Sequence, residues 1–291
     1  MIITVASGKG GTGKTLVATS LALSLGKDAR FLDCDVEEPN GYIFMKPEIE
    51  ETLKVYTPKP RVNSEKCTFC GRCGKACRYN AISVIKPRDK ISGKVLFFYE
   101  LCHSCGACSL VCPENAIFEE PVEKGEIEKG HAEGISFFVH GRLRPSEANP
   151  VPLVKAVKKQ TGADKINIID ASPGTSCPVV QAVKDTDFCI LVTEPTPFGL
   201  NDLTLAVEMN RKMGIPAGVI INRADIGDKK VENYCSNEKI PVFLRIPFKR
   251  EIAIAYSKGI PLVEAFPGYR IKFKKVFADI CRLLGKDTAS K

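Results

Sequence analysis

The chain has 291 residues, of which 44% are hydrophobic and 26% charged, the balance of a globular protein with about two domains. This composition excludes a disordered chain and a collagen-like repeat, and no uncharged apolar run approaches the roughly 18 residues of a membrane span. The formal charge of +8 counts all 13 cysteines as neutral, so it says little about partners.

Short apolar runs separated by helical segments predict an α/β fold at both ends of the chain. Strand 2–6 leads through a glycine-rich turn into a helix at 14–26, and strand 30–33 follows. The elements predicted after residue 150 are helix 151–161, strand 166–169, strand 188–192, helix 201–213, strand 217–221, helix 229–237, strand 242–246 and helix 270–284. Short strands alternating with helices are typical of a mainly parallel sheet covered on both faces.

The middle of the chain has a different composition. Residues 56–66 carry two prolines and several polar residues, which predicts a linker. An internal repeat with an offset of 35 residues follows, and residues 122–141 predict a glycine-punctuated strand pair. We therefore predict a P-loop-type α/β domain formed by 1–58 and 122–291, with a small α+β domain at 59–121 inserted into it.

The glycine-rich turn after the first strand has the spacing G-x-x-x-x-G-K-[ST] of a phosphate-binding loop. Glycines let backbone N–H groups point at phosphate oxygens, and the N-terminus of the next helix adds partial positive charge. Lys14 would neutralise the β- and γ-phosphates, and the Thr15 hydroxyl would bind Mg²⁺. The predicted nucleotide-binding residues of this loop are Gly8, Lys9, Gly10, Gly11, Thr12, Gly13, Lys14 and Thr15. A glycine-rich turn that matches by chance is the alternative.

A second lysine in the loop, Lys9, gives the segment KGGTGKT. This segment resembles the deviant Walker A motif of the MinD/ParA/nitrogenase-iron-protein class of ATPases. The resemblance implies a dimer around ATP, formed by two copies or with a paralogue, in which Lys9 reaches the partner's phosphates. A lysine supplied in trans would stabilise transition-state charge as an arginine finger does, so Lys9 and Lys14 are predicted catalytic residues. The alternative for Lys9 is a solvated loop lysine.

Two strand ends and one later dipeptide extend this resemblance. Asp35, in the segment FLDCD, resembles the catalytic switch I aspartate that orients the attacking water. Asp170, in IIDASPG, resembles the Walker B aspartate that holds Mg²⁺ through water, and Gly174 could place an N–H near the γ-phosphate. Asn222 and Arg223 resemble the base-reading pair of the class; a polar cap at a strand end is the alternative.

Eight of the 13 cysteines form the internal repeat, as two C-x2-C-x2-C-x3-C motifs. In bacterial ferredoxins with this spacing, the fourth cysteine of each motif ligates the cluster of the other motif. The ligands predicted for one [4Fe–4S] cluster are Cys67, Cys70, Cys73 and Cys112. The ligands predicted for the second are Cys102, Cys105, Cys108 and Cys77. Structural zinc is the alternative, but zinc sites generally pair two separated C-x2-C units around one ion.

Together the motifs closely resemble the MinD-superfamily P-loop ATPases that contain an inserted two-[4Fe–4S] ferredoxin domain. The resemblance implies ATP, Mg²⁺ and two clusters as cofactors. The local clustering of the cysteines favours a reducing compartment, so we expect a cytoplasmic protein, without nucleic-acid binding or stable membrane insertion. We expect ATP hydrolysis coupled to electron transfer toward a redox or iron–sulfur acceptor protein. The alternative is an iron–sulfur assembly or delivery ATPase like the Mrp-type carriers. A spatial organiser like MinD or ParA fits less well, because it has no evident need for two redox centres.

Two further segments carry open alternatives. Apolar residues at helical spacing beside lysines in 271–284 favour a final helix packed on the sheet over a membrane anchor. Cys177 follows Asp170 at the offset where nitrogenase iron protein carries a cluster ligand. One thiol from each chain of a dimer is short of four ligands, so we expect a buried small residue at the start of a helix.

Overall fold

The structure is a computed structural model that describes residues 1–88 and 92–286. The strands are β1 (Ile2–Ala6), β2 (Ala29–Asp33), β3 (Glu48–Val62), β4 (Ile82–Ile85), β5 (Lys94–Phe97), β6 (Ile117–His131), β7 (Phe137–Leu143), β8 (Ile166–Asp170), β9 (Phe188–Thr193), β10 (Ala217–Asn222) and β11 (Val242–Ile246). The helices are α1 (Lys14–Leu25), α2 (Gly41–Met45), α3 (Arg72–Ala76), α4 (Ala107–Leu110), α5 (Val151–Lys158), α6 (Cys177–Val183), α7 (Pro197–Lys212), α8 (Lys230–Asn237), α9 (Arg250–Ser257), α10 (Leu262–Ala265) and α11 (Gly268–Leu283).

The chain divides into two compact units, and the two long strands β3 and β6 contribute residues to both. The first unit is formed by Met1–Thr52, Ile127–Arg142 and Val154–Lys291. The second is formed by Leu53–Glu126 and Leu143–Leu153.

A nine-stranded sheet has the strand order β11-β10-β9-β1-β8-β2-β7-β6-β3. The seven strands from β11 to β7 are parallel to their neighbours, which confirms the prediction of a mainly parallel sheet. In this register Asp170 of β8 lies opposite Val5 of β1 and Asp33 of β2. The carboxyl ends of these three strands therefore meet at one edge of the sheet, where ligands of α/β proteins bind.

The core of the first unit lies between this sheet and the helices that cover it. Helix α1 is buried on nearly all sides, and its Val17 and Leu21 pack with Phe31 and Ile168 of the strands. Helix α11 places Phe273 in the same core, together with Val276 and Ile280. This burial confirms the expectation that the C-terminal helix packs on the fold. Within the described residues, none of the helices is both long and apolar enough to cross a membrane.

The linker predicted at 56–66 is wrong, because most of it belongs to the continuous strand β3. This strand lies at the edge of the sheet, where a proline without an N–H does not break the hydrogen-bond ladder. Ion pairs join Lys54 to Glu123 and Arg61 to Glu120 of β6. Residue numbers rise along one strand as they fall along the other, so the two strands run antiparallel.

The second unit contains the antiparallel pair β4 and β5 and the short helices α3 and α4. The 35-residue repeat of the sequence recurs in its backbone. The residues with positive φ are Phe69, Gly71 and Asn80 in one copy and Ser104, Gly106 and Asn115 in the other. A small apolar core of Cys73, Ile82 and Ile117 lies between the copies. The two cysteine motifs are thus two copies of one local structure.

Candidate nucleotide site and cysteine cavities

The glycine-rich loop connects the end of β1 to the start of α1, as the sequence predicts. Two of its glycines have no room for a side chain. A Cβ on Gly8 would lie 2.3 Å from the carbonyl oxygen of Asp202. A Cβ on Gly13, whose φ is +91°, would lie 2.4 Å from Nδ2 of Asn222. The close approach of β10 and α7 therefore requires glycine at these positions and holds the loop in its curled form.

A cavity of about 440 Å³ opens beside this loop, a volume within the usual range of small-molecule sites. The predicted residues that line it are Gly10, Gly11, Gly13, Lys14, Thr15, Asp35, Asn222 and Arg223. The remaining predicted residues of the nucleotide site do not line the cavity; they are Gly8, Lys9, Thr12, Asp170 and Gly174. The cavity is also lined by Phe248, Lys249 and Tyr256, which are not among the predicted residues. Nothing in their local sequence marks them as part of a nucleotide site.

Lys14 and Thr15 both bind the carboxylate of Asp170. Lys14 Nζ lies 2.8 Å from Asp170 Oδ1 and 3.5 Å from Asp35 Oδ2, and the Thr15 hydroxyl donates to Asp170 Oδ2 at 2.6 Å. Burial opposes the charge of Lys14, but the carboxylates of Asp170 and Asp35 hold its pKa above the ordinary value. A cation, two carboxylates and a hydroxyl thus converge where a phosphate chain and Mg²⁺ would bind.

Asp33 organises the loop that presents Asp35. Its fully buried carboxylate accepts backbone N–H bonds from Asp35, Asn40 and Gly41 at 3.0, 3.2 and 2.8 Å. Burial and the nearby Asp170 raise the pKa of Asp33 to about 8, and burial also raises the pKa of Asp35. Asp33 has no role among the predicted site residues, although the doubled aspartate of FLDCD is a signal for one.

Lys9 and Arg223 share one counter-ion, Glu194, which follows β9. Lys9 Nζ lies 3.5 Å from Glu194 Oε2, and Arg223 Nη1 lies 2.9 Å from Oε1. The Glu194 side chain is 8% exposed and that of Lys9 33% exposed. Lys9 is therefore paired within its own chain while its side chain stays partly exposed to solvent.

Two more predicted residues are engaged by the loop itself. Asn222 Nδ2 donates to the carbonyl oxygen of Thr12 at 2.9 Å. The Gly174 N–H donates to the carbonyl oxygen of Ser7 at 2.8 Å, so in this structure it is directed at the protein. The buried hydroxyl of Thr12 has no hydrogen-bond partner among the described residues. An unpaired buried hydroxyl in a phosphate-binding loop is a polar group that a ligand could satisfy.

Each of two cavities in the second unit is lined by four cysteines. Those of the first cavity are Cys67, Cys70, Cys73 and Cys112. Those of the second are Cys77, Cys102, Cys105 and Cys108. The two sets coincide with the two ligand sets that the crossover of the repeat predicts.

The fourth sulfur of each motif receives a backbone hydrogen bond. The Ala81 N–H donates to Cys77 Sγ at 3.3 Å, and the Ala116 N–H donates to Cys112 Sγ at 3.2 Å. Within the part of the chain that the structure describes, no three His, Cys, Asp or Glu side chains lie close enough to hold a single metal ion.

The prediction that Cys177 is buried is wrong. It is the first residue of α6, as expected, but it is exposed. The other four cysteines outside the two cavities are buried; they are Cys34, Cys189, Cys235 and Cys281.

The curled glycine loop between β1 and α1, the parallel sheet and the cavity beside the loop define a P-loop nucleotide-binding protein. Residues 3–262 match the CobQ/CobB/MinD/ParA nucleotide binding domain, and the chain belongs to this family. The predicted α/β P-loop fold with its mainly parallel sheet, and the predicted membership of the MinD/ParA superfamily, are thereby confirmed.

Relatives of known sequence and structure agree with this assignment. The uncharacterized protein MJ0579 of Methanocaldococcus jannaschii is 30% identical over 265 residues, which cover 89% of this chain and 90% of the relative. The iron-sulfur cluster carrier protein of Pyrococcus horikoshii is 28% identical over 290 residues, covering 90% of this chain and 78% of the relative. The solved structure of septum site-determining protein MinD with Mg-ADP, also from Pyrococcus horikoshii, has a TM-score of 0.60 and 21% identity. It covers 98% of this chain and 97% of its own, and it shares the fold.

Proposed function

We propose that the protein is an ATPase that binds two [4Fe–4S] clusters and couples a nucleotide-dependent dimer to electron transfer. The observation that carries this proposal is the pair of cavities with four cysteines each. Each set takes three cysteines from one repeat and the fourth from the other, which is the arrangement of two-cluster ferredoxins. When bound, the clusters would supply one-electron transfer.

The residues of both cavities fit such clusters. Their walls are mostly apolar, with Val62, Phe69 and Val84 among those of the first and Pro60 and Ile82 among those of the second. Apolar walls and N–H bonds to sulfur are the features that tune a cluster. A cubane cluster also keeps its four thiolates apart, because each binds a different iron, so it needs no group of ligands tight enough for one ion.

The exposed cysteines support electron exchange with a partner. Cys70 and Cys105 are exposed, and each is the second cysteine of its motif. A ligand at the surface shortens the path from the cluster to an acceptor protein. Each of the two proposed clusters would therefore have one cysteine ligand at the protein surface.

The nucleotide site supports an ATPase with separate roles for its residues. Lys14 would neutralise the phosphates, Thr15 and Asp170 would hold Mg²⁺, and Asp35 would orient the attacking water. Lys9 would act on the phosphates of a partner copy, after leaving Glu194. Hydrolysis would then depend on the dimer.

Cluster assembly or delivery is the second candidate, and two observations favour it. The relatives named iron-sulfur cluster carrier protein are 24–28% identical over 78% or less of their own lengths. Cys177 is exposed at the start of α6, directly after the loop that follows Asp170. A thiol in that position could hold a transient cluster only with further ligands from a partner.

Anaerobic purification with iron analysis and EPR, with and without MgATP, tests the first proposal. We expect about eight iron atoms per chain and spectra of two interacting reduced clusters. Cys77→Ser should damage the second cluster more than the first, whereas Cys34→Ser, at a buried cysteine outside the cavities, should leave both intact. Tightly bound zinc without visible absorbance would overturn the proposal.

Incubation with an apo-acceptor protein separates the two candidates. An electron carrier should keep its iron through repeated redox cycles, whereas a delivery protein should transfer it. Iron beyond the eight ferredoxin atoms that is lost in Cys177→Ser, but kept in Cys34→Ser, would favour delivery.

A further inference from the structure

Two lysines of the second unit are fully buried and share one carboxylate. Lys59 and Lys124 are each 1% exposed. Their Nζ atoms lie 3.2 and 2.6 Å from Glu147 Oε2. Lysine is almost never fully buried unless it is paired. We name these three residues the buried lysine pair with its glutamate.

The hydrogen bonds of this group indicate that it carries a net positive charge. Lys59 Nζ also donates to the carbonyl oxygens of Tyr99 at 3.1 Å and Cys102 at 3.2 Å. With Glu147 these acceptors use all three donors of an ammonium group. Burial opposes ionisation of Glu147, but the hydrogen bonds and charges of both lysines hold its pKa below the usual value. Two cations and one anion leave one positive charge inside the unit.

Among the described residues, the contacts of this charge lead to the second cysteine cavity. The Cys102 carbonyl that binds Lys59 belongs to a predicted ligand of the second cluster, and Pro60 lines the second cavity. The first cavity has one cationic side chain among its described lining residues, that of Arg72. Arg72 is exposed, so solvent screens its charge. The repeat is thus symmetric in its cysteines but not in its buried charge.

We infer that the buried lysine pair with its glutamate makes the second cluster easier to reduce than the first. This inference rests on the proposed binding of two clusters. Reduction by an external one-electron donor adds one negative charge to a cluster, and no bond forms or breaks. A buried positive charge stabilises the reduced form more than the oxidised form, because the attraction is only weakly screened in the protein interior. An electron that enters either cluster then resides mainly on the second.

Potentiometric titration followed by EPR tests the inference on the iron-loaded protein. The parent should titrate in two steps, and single-cluster variants assign them. The step at higher potential should remain in Cys70→Ser, which lacks a ligand of the first cluster, and disappear in Cys105→Ser, which lacks a ligand of the second. Iron analysis of each variant checks which cluster is lost.

Three charge variants then test the cause. Lys59→Met should lower the ratio of reduced to oxidised second cluster at fixed potential about tenfold, equal to 59 mV for a one-electron couple. Glu147→Gln should shift the same step in the opposite direction, because it removes the negative charge and keeps both lysines. Lys54→Met is the matched control: it removes a lysine of the same strand whose side chain is 56% exposed, and it should move neither step.

Several results would overturn the inference while leaving the proposed function intact. One is a single step for both clusters in the parent, and another is a higher step that disappears in Cys70→Ser. Shifts of Lys59→Met and Glu147→Gln in the same direction would indicate structural damage in place of a charge effect. Failure of the proposed function is a different result, because the parent would then lack the two clusters before any titration.

Discussion

Replacing Lys14 with alanine tests whether its ammonium group holds together the carboxylates of the nucleotide site. Nζ lies 2.8 Å from Asp170 and 3.5 Å from Asp35, and Asp33 is opposite Asp170 on the neighbouring strand. The side chains of Lys14 and Asp170 are 8% and 1% exposed, so this is a buried pair. Removing one partner of a buried pair destabilises a protein by about 3–5 kcal/mol. The melting temperature of the ligand-free variant should fall by about 6–20 °C.

The size of this loss should depend on pH. Burial and Asp170 raise the pKa of Asp33 to about 8, and burial raises that of Asp35. A carboxyl whose pKa is raised by folding destabilises the folded state increasingly as pH rises from its unfolded pKa to its folded pKa. Lys14 lowers both pKa values, so its removal raises them further. The variant should therefore lose more stability at pH 8 than at pH 5.5.

Thermal unfolding without nucleotide or Mg²⁺, at both pH values, measures this difference. Lys274→Ala, at an exposed lysine of α11, is the control and should change stability little. Adding Mg²⁺ should restore part of the lost stability, because a second cation can occupy the place among the carboxylates. A loss below about 1 kcal/mol at pH 8, or one that grows toward acid, would refute this account of the site.

Three further variants separate the roles of loop residues. Lys9→Ala should bind ATP as the parent does but not hydrolyse it, since its proposed role is to act on a partner's phosphates. Hydrolysis at the parent rate in a phosphate-release assay would contradict this trans role. Asp35→Ala should accumulate an ATP-bound dimer on size-exclusion chromatography, because the water loses its orienting carboxylate; a monomer that hydrolyses ATP normally would count against this role. Gly13→Ala should lose nucleotide affinity in calorimetric titration, because its Cβ would lie 2.4 Å from Asn222 Nδ2. Gly26→Ala is its matched control, with a φ of +71° but nothing within 4 Å of the new Cβ, and it should bind nucleotide normally.

The parts of the site that sequence predicts are those encoded locally. The loop from Gly8 to Thr15 is contiguous, so its spacing identifies it as a phosphate-binding loop. Asp35 and Asp170 could be predicted as neighbours because each lies at the carboxyl end of a buried strand, and these ends of parallel strands meet at one edge of the sheet. The cysteine repeat is local in the same way, since each motif forms one turn and one short helix.

The parts that sequence does not predict depend on partners far along the chain. Glu194 is 185 residues from Lys9, and nothing in the segment VTEPTP indicates that it binds two cations. Lys59 lies 88 residues from Glu147. It belongs to segment 56–66, for which the prolines and polar residues wrongly predict a linker. A lysine becomes a buried group only when its carboxylate arrives from elsewhere, so local composition favours solvent exposure at this position.

Charged side chains of the nucleotide site are paired with one another, and this bears on how the site would be activated. Lys14 is paired with Asp170, and Lys9 and Arg223 are both paired with Glu194. Mg²⁺ bound by Asp170 would release Lys14 to the phosphates, so metal and nucleotide should bind more tightly together than either does alone. The release of Lys9 has a different requirement, because Glu194 lies outside the cavity lining and keeps Arg223 as a partner. On the proposed mechanism, nucleotide binding in one copy would leave Lys9 paired, and a second copy that competes for Lys9 would complete the site.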